Sequence, residues 1–219
     1  MTLFIIAYLA VLCMYFVTET SGKMILRAPN KILLASMFLT FAIVQFQHYE
    51  FLSYHLLLMA ALFLAWMGDV FLLIDLNRGG DFFLGGNVCF ILYEMAVAID
   101  NGFSFADFAW VIPALVVIML AFVYCAQKFP KVLKLGKMKW PMVLYLTSIS
   151  FHGLMGIALM TLLPGTPFFV LGLGSLLFWI SDMIITVLHF VIIGNKWILR
   201  ANSAFYFTGL LLIVLSMAM

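Results

Sequence analysis

The sequence predicts an all-α, polytopic integral membrane protein in which residues 1–219 form a single domain of eight transmembrane helices. Hydrophobic residues make up 67% of the chain and charged residues only 9%, and the apolar residues fall into runs separated by short polar gaps. Because lipid offers the backbone no hydrogen bonds, such runs must cross as helices, which satisfy their own backbone groups. The runs are roughly 3–18, 32–46, 51–74, 82–99, 107–127, 141–163, 167–193 and 203–219.

The first three runs need separate justification. Crossing the hydrocarbon takes on the order of 20 residues, so we expect the helices at 3–18 and 32–46 to extend into the headgroup region. The first run has no basic segment before it and no small-x-small cleavage site, so we expect it to be a retained helix. The polar break at 47–50 is the weakest boundary. Joining the runs on either side of it would invert every later loop and place basic residues on both faces.

The distribution of basic residues predicts the topology. All eleven Lys and Arg residues lie in every second gap between the runs, and the other gaps and both termini contain none. Because positive charge is retained on the cytoplasmic side of short loops, we expect a multi-pass protein with cytoplasmic basic loops and non-cytoplasmic termini. The eleven residues are Lys23, Arg27, Lys31, Arg78, Lys128, Lys131, Lys134, Lys137, Lys139, Lys196 and Arg200.

Three carboxylates lie inside apolar runs, namely Asp69, Glu94 and Asp182. A carboxylate in hydrocarbon is costly, so such residues usually face the bundle interior and mark a functional site. Asp69 lies about six residues, or roughly 9 Å, before the cytoplasmic end of its helix, and Asp182 about ten residues before the end of its own. Both helices run inward, so the two aspartates have similar depths, whereas Glu94 is expected nearer the other face.

The two aspartates share a sequence context that indicates an internal repeat. Residues 66–69 and 179–182 both read W-x-small-D, and four crossings separate them. An even number of crossings places both copies in the same orientation. The pattern therefore predicts a 4+4 parallel repeat about an axis along the membrane normal.

Polar residues recur at helical spacing on six of the predicted helices. We therefore expect a polar cavity lined by helices 2, 3, 4, 6, 7 and 8 that opens toward the cytoplasmic leaflet, without helices 1 and 5. Besides Asp69, the residues on these stripes are Ser36, Thr40, Gln47, Asn87, Glu94, Tyr145, Ser148, His152, Ser175, Asp182, His189, Asn202 and Tyr206.

Two carboxylates at one depth in a low-dielectric site tend to hold one proton between them. The pair then offers a general acid and a general base, which suits the addition of water across an acid-labile bond. A structural role as hydrogen-bond acceptors and a role in a cation or proton pathway remain alternatives. His152 and His189 lack metal-ligand spacing, and no nucleophile motif is present, so we expect no metal and no cofactor.

Several short motifs, in order along the chain, are similar to a known family. Residues 174–182 resemble its G-A-x-L-F-x-x-S-D segment, 68–73 its G-D-x-x-L block, and 83–90 its F-x-x-G-x-x-x-F helix. The aromatic pair 205–206 and Lys31 also occupy matching positions. On these residues the chain resembles the YhhN-type lysoplasmalogenase family of multi-pass membrane proteins, as a divergent member.

This resemblance implies hydrolysis of the vinyl ether bond of lysoplasmalogens, with release of a fatty aldehyde and a glycerophospho-base. It also implies that Asp69 and Asp182 are the catalytic pair. The chain departs from the family pattern at three positions: Glu94 stands where His is usual, Gly209 where Gln follows the aromatic pair, and Ile32 where Pro follows the lysine.

We therefore expect a membrane hydrolase that acts on a lysophospholipid taken from the membrane, with no nucleic-acid partner; a homodimer is left open. A small transporter or ion-coupled carrier using the embedded carboxylates is an alternative, which a helix break at Gly172-x-Gly174 would favour. A catalytically silent family member is another. The expected substrate-binding residues, with Lys31 and Arg78 for the phosphate, are Lys31, Arg78, Asn87, Glu94, His152, Ser181 and Tyr206.

Overall fold

The computed structural model describes residues 2–21, 23–47, 54–129, 133, 139–191 and 195–219, without the side chains of Leu76, Lys139, His189 and Phe190. Within these residues the chain forms eight α-helices and no strand, which confirms the predicted all-α class. The helices are α1 (Thr2–Glu19), α2 (Met24–Phe46), α3 (His55–Phe71), α4 (Leu76–Asp100), α5 (Val111–Lys128), α6 (Lys139–Leu162), α7 (Pro167–Phe190) and α8 (Lys196–Ser216).

Three helices begin six or more residues earlier than their apolar runs, because polar residues at one end of the bundle continue the helical backbone. α2, α4 and α8 start at Met24, Leu76 and Lys196. Asp75 caps α4 by accepting backbone N–H groups at 2.8 and 3.1 Å, and Asn195 caps α8 in the same way at 2.9 and 3.3 Å. Such caps satisfy N–H groups that would otherwise lack a partner in the first helical turn.

Seven of the helices are long and apolar enough to cross a membrane, and α3 is a shorter apolar helix. α3 nevertheless runs antiparallel to α2, since Trp66 contacts Ser36 while Asp69, further along, contacts Lys31, earlier in α2. It therefore passes through the bundle like its neighbours. The weak sequence boundary was placed at 47–50, and residues 48–50 of it lie outside the described residues.

The helix contacts follow the predicted 4+4 repeat. In the described part of the chain, α1–α2, α2–α3 and α3–α4 contacts correspond to α5–α6, α6–α7 and α7–α8 contacts. The halves meet through α4–α6 and α2–α8, which are equivalent under the same repeat, and through an α1–α8 contact that has no counterpart between α5 and α4 among the described residues. Asn87 and Glu94 of α4 contact Ser148 and His152 of α6 in the same order, so these two helices are parallel. Since α3 and α7 are antiparallel to them, α3 and α7 have the same orientation.

Side-chain contacts repeat as well. The indole Nε1 of Trp66 in α3 donates to Ser36 Oγ of α2 at 3.1 Å. The indole Nε1 of Trp179 in α7 donates to Ser150 Oγ of α6 at 3.2 Å. The two W-x-small-D segments are therefore held against the preceding helix by the same type of hydrogen bond.

Glycines give the two halves matching close helix contacts. A Cβ atom on Gly86 of α4 would lie 3.3 Å from the carbonyl oxygen of Ala61, and one on Gly209 of α8 would lie 2.8 Å from that of Gly174. Small residues allow neighbouring backbones to approach closely within a membrane. The tight contact explains why Gly209 departs from the expected Gln, whose side chain does not fit against α7.

The bundle has one basic end, where α1–α2, α3–α4, α5–α6 and α7–α8 are joined. α1 begins and α8 finishes at the opposite end, so Thr2 and Met219 lie away from it. Lys131, Lys134 and Lys137 lie outside the described residues. The Lys and Arg side chains described at the basic end are Lys23, Arg27, Lys31, Arg78, Lys128, Lys196 and Arg200.

Candidate functional site

A cavity of about 1020 Å³ lies between the helices at the basic end. Every helix except α5 contributes described residues to its wall. The expected lining by α2, α3, α4, α6, α7 and α8 agrees with the structure. The expected absence of α1 is wrong, because its last turns contribute Tyr15 and Glu19. α1 has no polar residues at helical spacing, and a single Glu at the end of a helix indicates a membrane-interface position when only the sequence is known.

Asp69 is held in the cavity wall by an ion pair and a hydrogen bond from two other helices. The Lys31 Nζ atom of α2 lies 2.9 Å from Asp69 Oδ1, and the Tyr206 hydroxyl of α8 donates to Oδ2 at 2.7 Å. Asp69 is only 1% exposed and Lys31 only 8%. The pair thus removes two charges from solvent together, which is far less costly than burying one alone. Lys31, expected to hold a phosphate, is bound to Asp69 instead.

Asp182 lies on the same cavity wall in a different environment. The Tyr145 hydroxyl of α6 donates to Asp182 Oδ2. Among the described residues an ion pair joins Lys31 to Asp69, His152 lies within ion-pair distance of Glu94, and no basic side chain lies within that distance of Asp182. The two carboxylates therefore face one cavity, one paired with a cation and the other with a phenol.

Ser181, next to Asp182, also lies on the wall. Its hydroxyl donates to Asn202 Oδ1 of α8 at 3.0 Å, and Thr186 Oγ1 donates to the Asp182 carbonyl oxygen at 2.8 Å. Ser181 thereby ties α7 to α8 beside the carboxylate and fixes the position from which Asp182 enters the cavity.

The repeat accounts for the difference between the two aspartates. Lys31 lies five residues before Ser36, and Tyr145 lies five residues before Ser150. The two serines accept equivalent indole hydrogen bonds, so Lys31 and Tyr145 occupy equivalent positions. The residue at this equivalent position, Lys31 in one half and Tyr145 in the other, decides whether the facing aspartate is paired with a cation or with a hydroxyl group.

The second partner of Asp69 has diverged in the same way. Tyr206 lies three residues before Gly209, and Phe83 lies three residues before Gly86. Phe83 is thus the equivalent of Tyr206 but has no hydroxyl group, so Asp182 lacks the second donor that Asp69 has.

Arg78 does not contribute to the cavity wall, contrary to its expected role in phosphate binding. It is exposed in the first turn of α4. Asn77, Gly80 and Asp81 line the cavity from the same part of the helix. Since successive helical residues point about 100° apart, the face that presents these residues turns Arg78 outward.

Asn87, Glu94 and His152 also lie outside the cavity wall, which corrects their assignment to it. They form a second, fully buried cluster in which Glu94 Oε1 accepts from Ser175 Oγ at 2.6 Å. His152 Nδ1 lies 3.1 Å from Glu94 Oε2. The helical stripe on α4 is real, but it continues past the end of the cavity. The side chains between the cluster and the cavity are the contacting rings of Phe83, Phe178 and Tyr206.

The second cluster contains two polar atoms that the described residues leave without a hydrogen bond. These are His152 Nε2 and Asn87 Oδ1, while Asn87 Nδ2 donates to Ser148 Oγ at 3.3 Å. The His152 ring stacks on Phe90 at 4.7 Å. The family pattern has His at position 94, and here the imidazole beside Glu94 comes from α6 instead.

Two alternatives from the sequence can be compared with this geometry. α7 is continuous through Gly172 and Gly174, so the helix break that would favour a carrier is not present there. A Cβ atom on Gly172 would lie 2.3 Å from the Gly156 carbonyl oxygen, which indicates a close-packing role. The described residues contain no group of three or more His, Cys, Asp and Glu side chains placed to hold a metal ion.

Sequence reasoning missed the cavity roles of Tyr15, Glu19 and Arg27. Arg27 entered the sequence analysis only among the basic residues that predict topology, and Tyr15 and Glu19 were not singled out. The spacing of Arg27 and Lys31 was the available signal, because residues four apart share one face of a helix.

We predict that Glu94→Ala destabilises the fold by about 3–5 kcal/mol, because it leaves His152 and Ser175 buried without their shared acceptor. Thermal unfolding in detergent measures this loss, with the exposed Asp100→Asn as control. The double variant Glu94→Leu/His152→Leu should lose less than the sum of the two single Leu variants. Strict additivity would contradict a buried pair.

The comparison with known proteins agrees with these observations. The sequence model of the YhhN family matches residues 26–217, from the start of α2 to the end of α8. No curated protein and no solved structure matches the chain. The matched range includes Asp69 and Asp182 and leaves out α1 with Glu19. Because the match covers most of the chain, this protein is a member of the YhhN family.

Proposed function

We propose that the protein is a membrane hydrolase that cleaves the vinyl ether bond of lysoplasmalogen-type lysophospholipids. The products are a fatty aldehyde and a glycerophospho-base. The observation that carries this proposal is that Asp69 and Asp182 face one cavity with unlike partners, a cation and a phenol. Membership of the YhhN family is consistent with this activity.

The unlike partners suggest a role for each aspartate. Lys31 and Tyr206 stabilise negative charge on Asp69, which makes it the general base. Asp182 has no cation within ion-pair distance among the described residues, which suits it to hold the proton as general acid. A pair of carboxylates in contrasting environments is a common basis for acid–base division of labour.

In the first step, Asp182 donates its proton to the β-carbon of the vinyl ether. The double-bond electrons form the new C–H bond, and an oxocarbenium ion results. The negative charge of Asp69 stabilises this cation. Asp69 then takes a proton from water while the water oxygen bonds to the α-carbon, which yields a hemiacetal.

In the second step, the hemiacetal collapses and both aspartates return to their starting states. The bond between the α-carbon and the glycerol oxygen breaks, and protonated Asp69 donates its proton to the departing oxygen. Asp182 takes the proton of the hemiacetal hydroxyl as the aldehyde forms. One water molecule is consumed, and no other reactant is needed.

The cavity suits an amphiphilic substrate. Its volume of about 1020 Å³ lies at the upper end of the range typical for small-molecule sites. Leu72, Leu84 and Ile185 contribute apolar surface beside the aspartates, and charged side chains lie toward the basic end. The alkenyl chain can thus pack among the helices while the head group remains near the polar mouth.

We predict that Asp69→Asn and Asp182→Asn each abolish aldehyde release, because Asn cannot exchange a proton with substrate or water. Purified variants are incubated with a lysoplasmalogen and, separately, with a saturated lysophospholipid, and aldehyde and fatty acid are quantified. Asp182→Asn should change thermal stability little, whereas Asp69→Asn should lower it because Lys31 is left buried without its counter-charge. Activity is therefore compared well below the unfolding temperature of each variant, and the remote Asp100→Asn should retain full activity. Near-normal turnover in either aspartate variant would refute the mechanism.

Lys31→Met should lower kcat by about 10²-fold or more, because Asp69 without the Lys31 cation loses the negative charge that it needs as general base. Lys31→Arg keeps the cation and should retain measurable turnover. The readout is initial rate of aldehyde release at saturating substrate. Wild-type kcat in Lys31→Met would show that Asp69 does not depend on this ion pair.

We further propose that the basic end lies in the cytoplasm, so that the cavity opens toward the cytoplasmic leaflet. Reporter fusions placed after Met219 and within the loop at 130–138 should then report opposite sides of the membrane, with the loop inside. A loop fusion that reports the outside would overturn this orientation.

A further inference from the structure

Arg27 lies on the cavity wall one helical turn from Lys31, on the same face of α2. Four residues correspond to roughly 6 Å along the helix, toward the mouth of the cavity. Arg27 is half-buried, and its Nε atom is buried without a hydrogen-bond partner among the described residues. Since Lys31 is bound to Asp69, Arg27 is the innermost basic side chain on the wall that has no ion-pair partner in the described part of the chain.

Glu19 lies on the same wall at the same level. Its Oε1 atom accepts from Ser203 Oγ of α8, and Ser203 is one turn nearer the mouth than Tyr206. Glu19 is 4% exposed, and its Oε2 atom has no hydrogen-bond partner among the described residues. Arg27 and Lys31 act on it electrostatically, but no ion pair within 4.0 Å joins it to either of them. The Tyr15 side chain interacts with both Glu19 and Arg27 and thus lies beside both charges.

We propose that Arg27 and Glu19 form a head-group subsite that binds a zwitterionic aminoalkyl phosphodiester of a lysophospholipid. Arg27 binds the phosphate, because a guanidinium group matches phosphate oxygens in charge and geometry. Glu19 binds the amine or ammonium group. The placement of the lipid rests on the proposed function, whereas binding to the subsite can be measured without hydrolysis.

The spacing along the cavity matches the proposed substrate. Five covalent bonds separate the vinyl ether oxygen from the phosphorus atom, which is roughly 6 Å when extended. Arg27 lies a similar distance from the level of Lys31 and Asp69 toward the mouth. One molecule can therefore place its ether bond between the aspartates and its phosphate at Arg27.

The other charged residues on the wall do not offer an equivalent pair. Lys31 and Asp69 bind each other. Lys23 precedes α2 and is exposed, and Asp81 is exposed as well. Arg27 and Glu19 are therefore the opposite charges that lie inside the mouth, next to the reacting level.

The test of Arg27 is binding of a saturated 1-O-alkyl lysophosphatidylethanolamine, which has no vinyl ether, to the purified full chain in detergent. Arg27→Gln should weaken binding by about tenfold or more, as expected for losing charged hydrogen bonds. Arg27→Lys should recover part of the affinity. Lys128→Gln, an exposed charge at the same end outside the wall, should bind within about twofold of wild type. Wild-type affinity in Arg27→Gln overturns the proposal.

The test of Glu19 compares two probes that differ only in the head group. Glu19→Gln should weaken binding of the ethanolamine probe by about tenfold, and leave binding of the corresponding lysophosphatidic acid, which lacks the amine, within about twofold. Equal loss for both probes would indicate a structural role and overturn the assignment. Excess inorganic phosphate should leave the ethanolamine probe bound, and displacement would assign the subsite to free anions instead.

Failure of this inference and failure of the proposed function give different results. If wild type binds the probe in an Arg27-dependent manner but releases no aldehyde from a lysoplasmalogen, the subsite stands and the hydrolase proposal fails. If aldehyde is released and Arg27→Gln leaves the KM unchanged, the hydrolase stands and the subsite fails.

Discussion

The free-energy cost of placing carboxylates inside an apolar bundle determines how these helices are arranged. Asp69 is bound from α2 and α8, Asp182 from α6, and Glu94 from α6 and α7. Removing any of these helices would leave a buried acid without its partner, which costs more than the contact itself contributes. Among the described residues, six of the eight helices, all except α1 and α5, thus carry one of these three carboxylates or a side chain that binds it.

The internal repeat explains how one bundle holds two similar aspartates with different properties. The tryptophan–serine hydrogen bonds and the close glycine contacts are kept in both halves, so the backbone framework is the same. The positions that face each carboxylate have diverged. Lys31 in one half corresponds to Tyr145 in the other, and Tyr206 corresponds to Phe83. The backbone framework is the same in both halves, but the side chains around the two aspartates differ. The aspartates therefore have the contrasting environments that an acid–base pair requires.

Much of the fold was predictable because membrane constraints act on sequence directly. Hydrophobic runs and alternating basic gaps indicate helices and their order, and the two W-x-small-D segments indicate the repeat. Within the site, Asp69 and Asp182 were recognisable because an embedded acid is rare and costly. Glu94 is embedded as well, but it belongs to a separate buried pair with His152. Helical spacing shows that Asn87 and Glu94 share one face of α4, but it does not show how far along that face the cavity extends.

Composition and periodicity along the chain were enough to predict the all-helical class, the number of helices and the residues whose burial would be costly. Contacts across the folded bundle were needed to show which charges meet. Lys31 reaches Asp69 rather than a phosphate, Arg78 points outward, and Glu19 of α1 enters the cavity. These outcomes depend on the rotation of each helix about its axis and on contacts between distant segments. Packing sets both, and a linear pattern does not contain them.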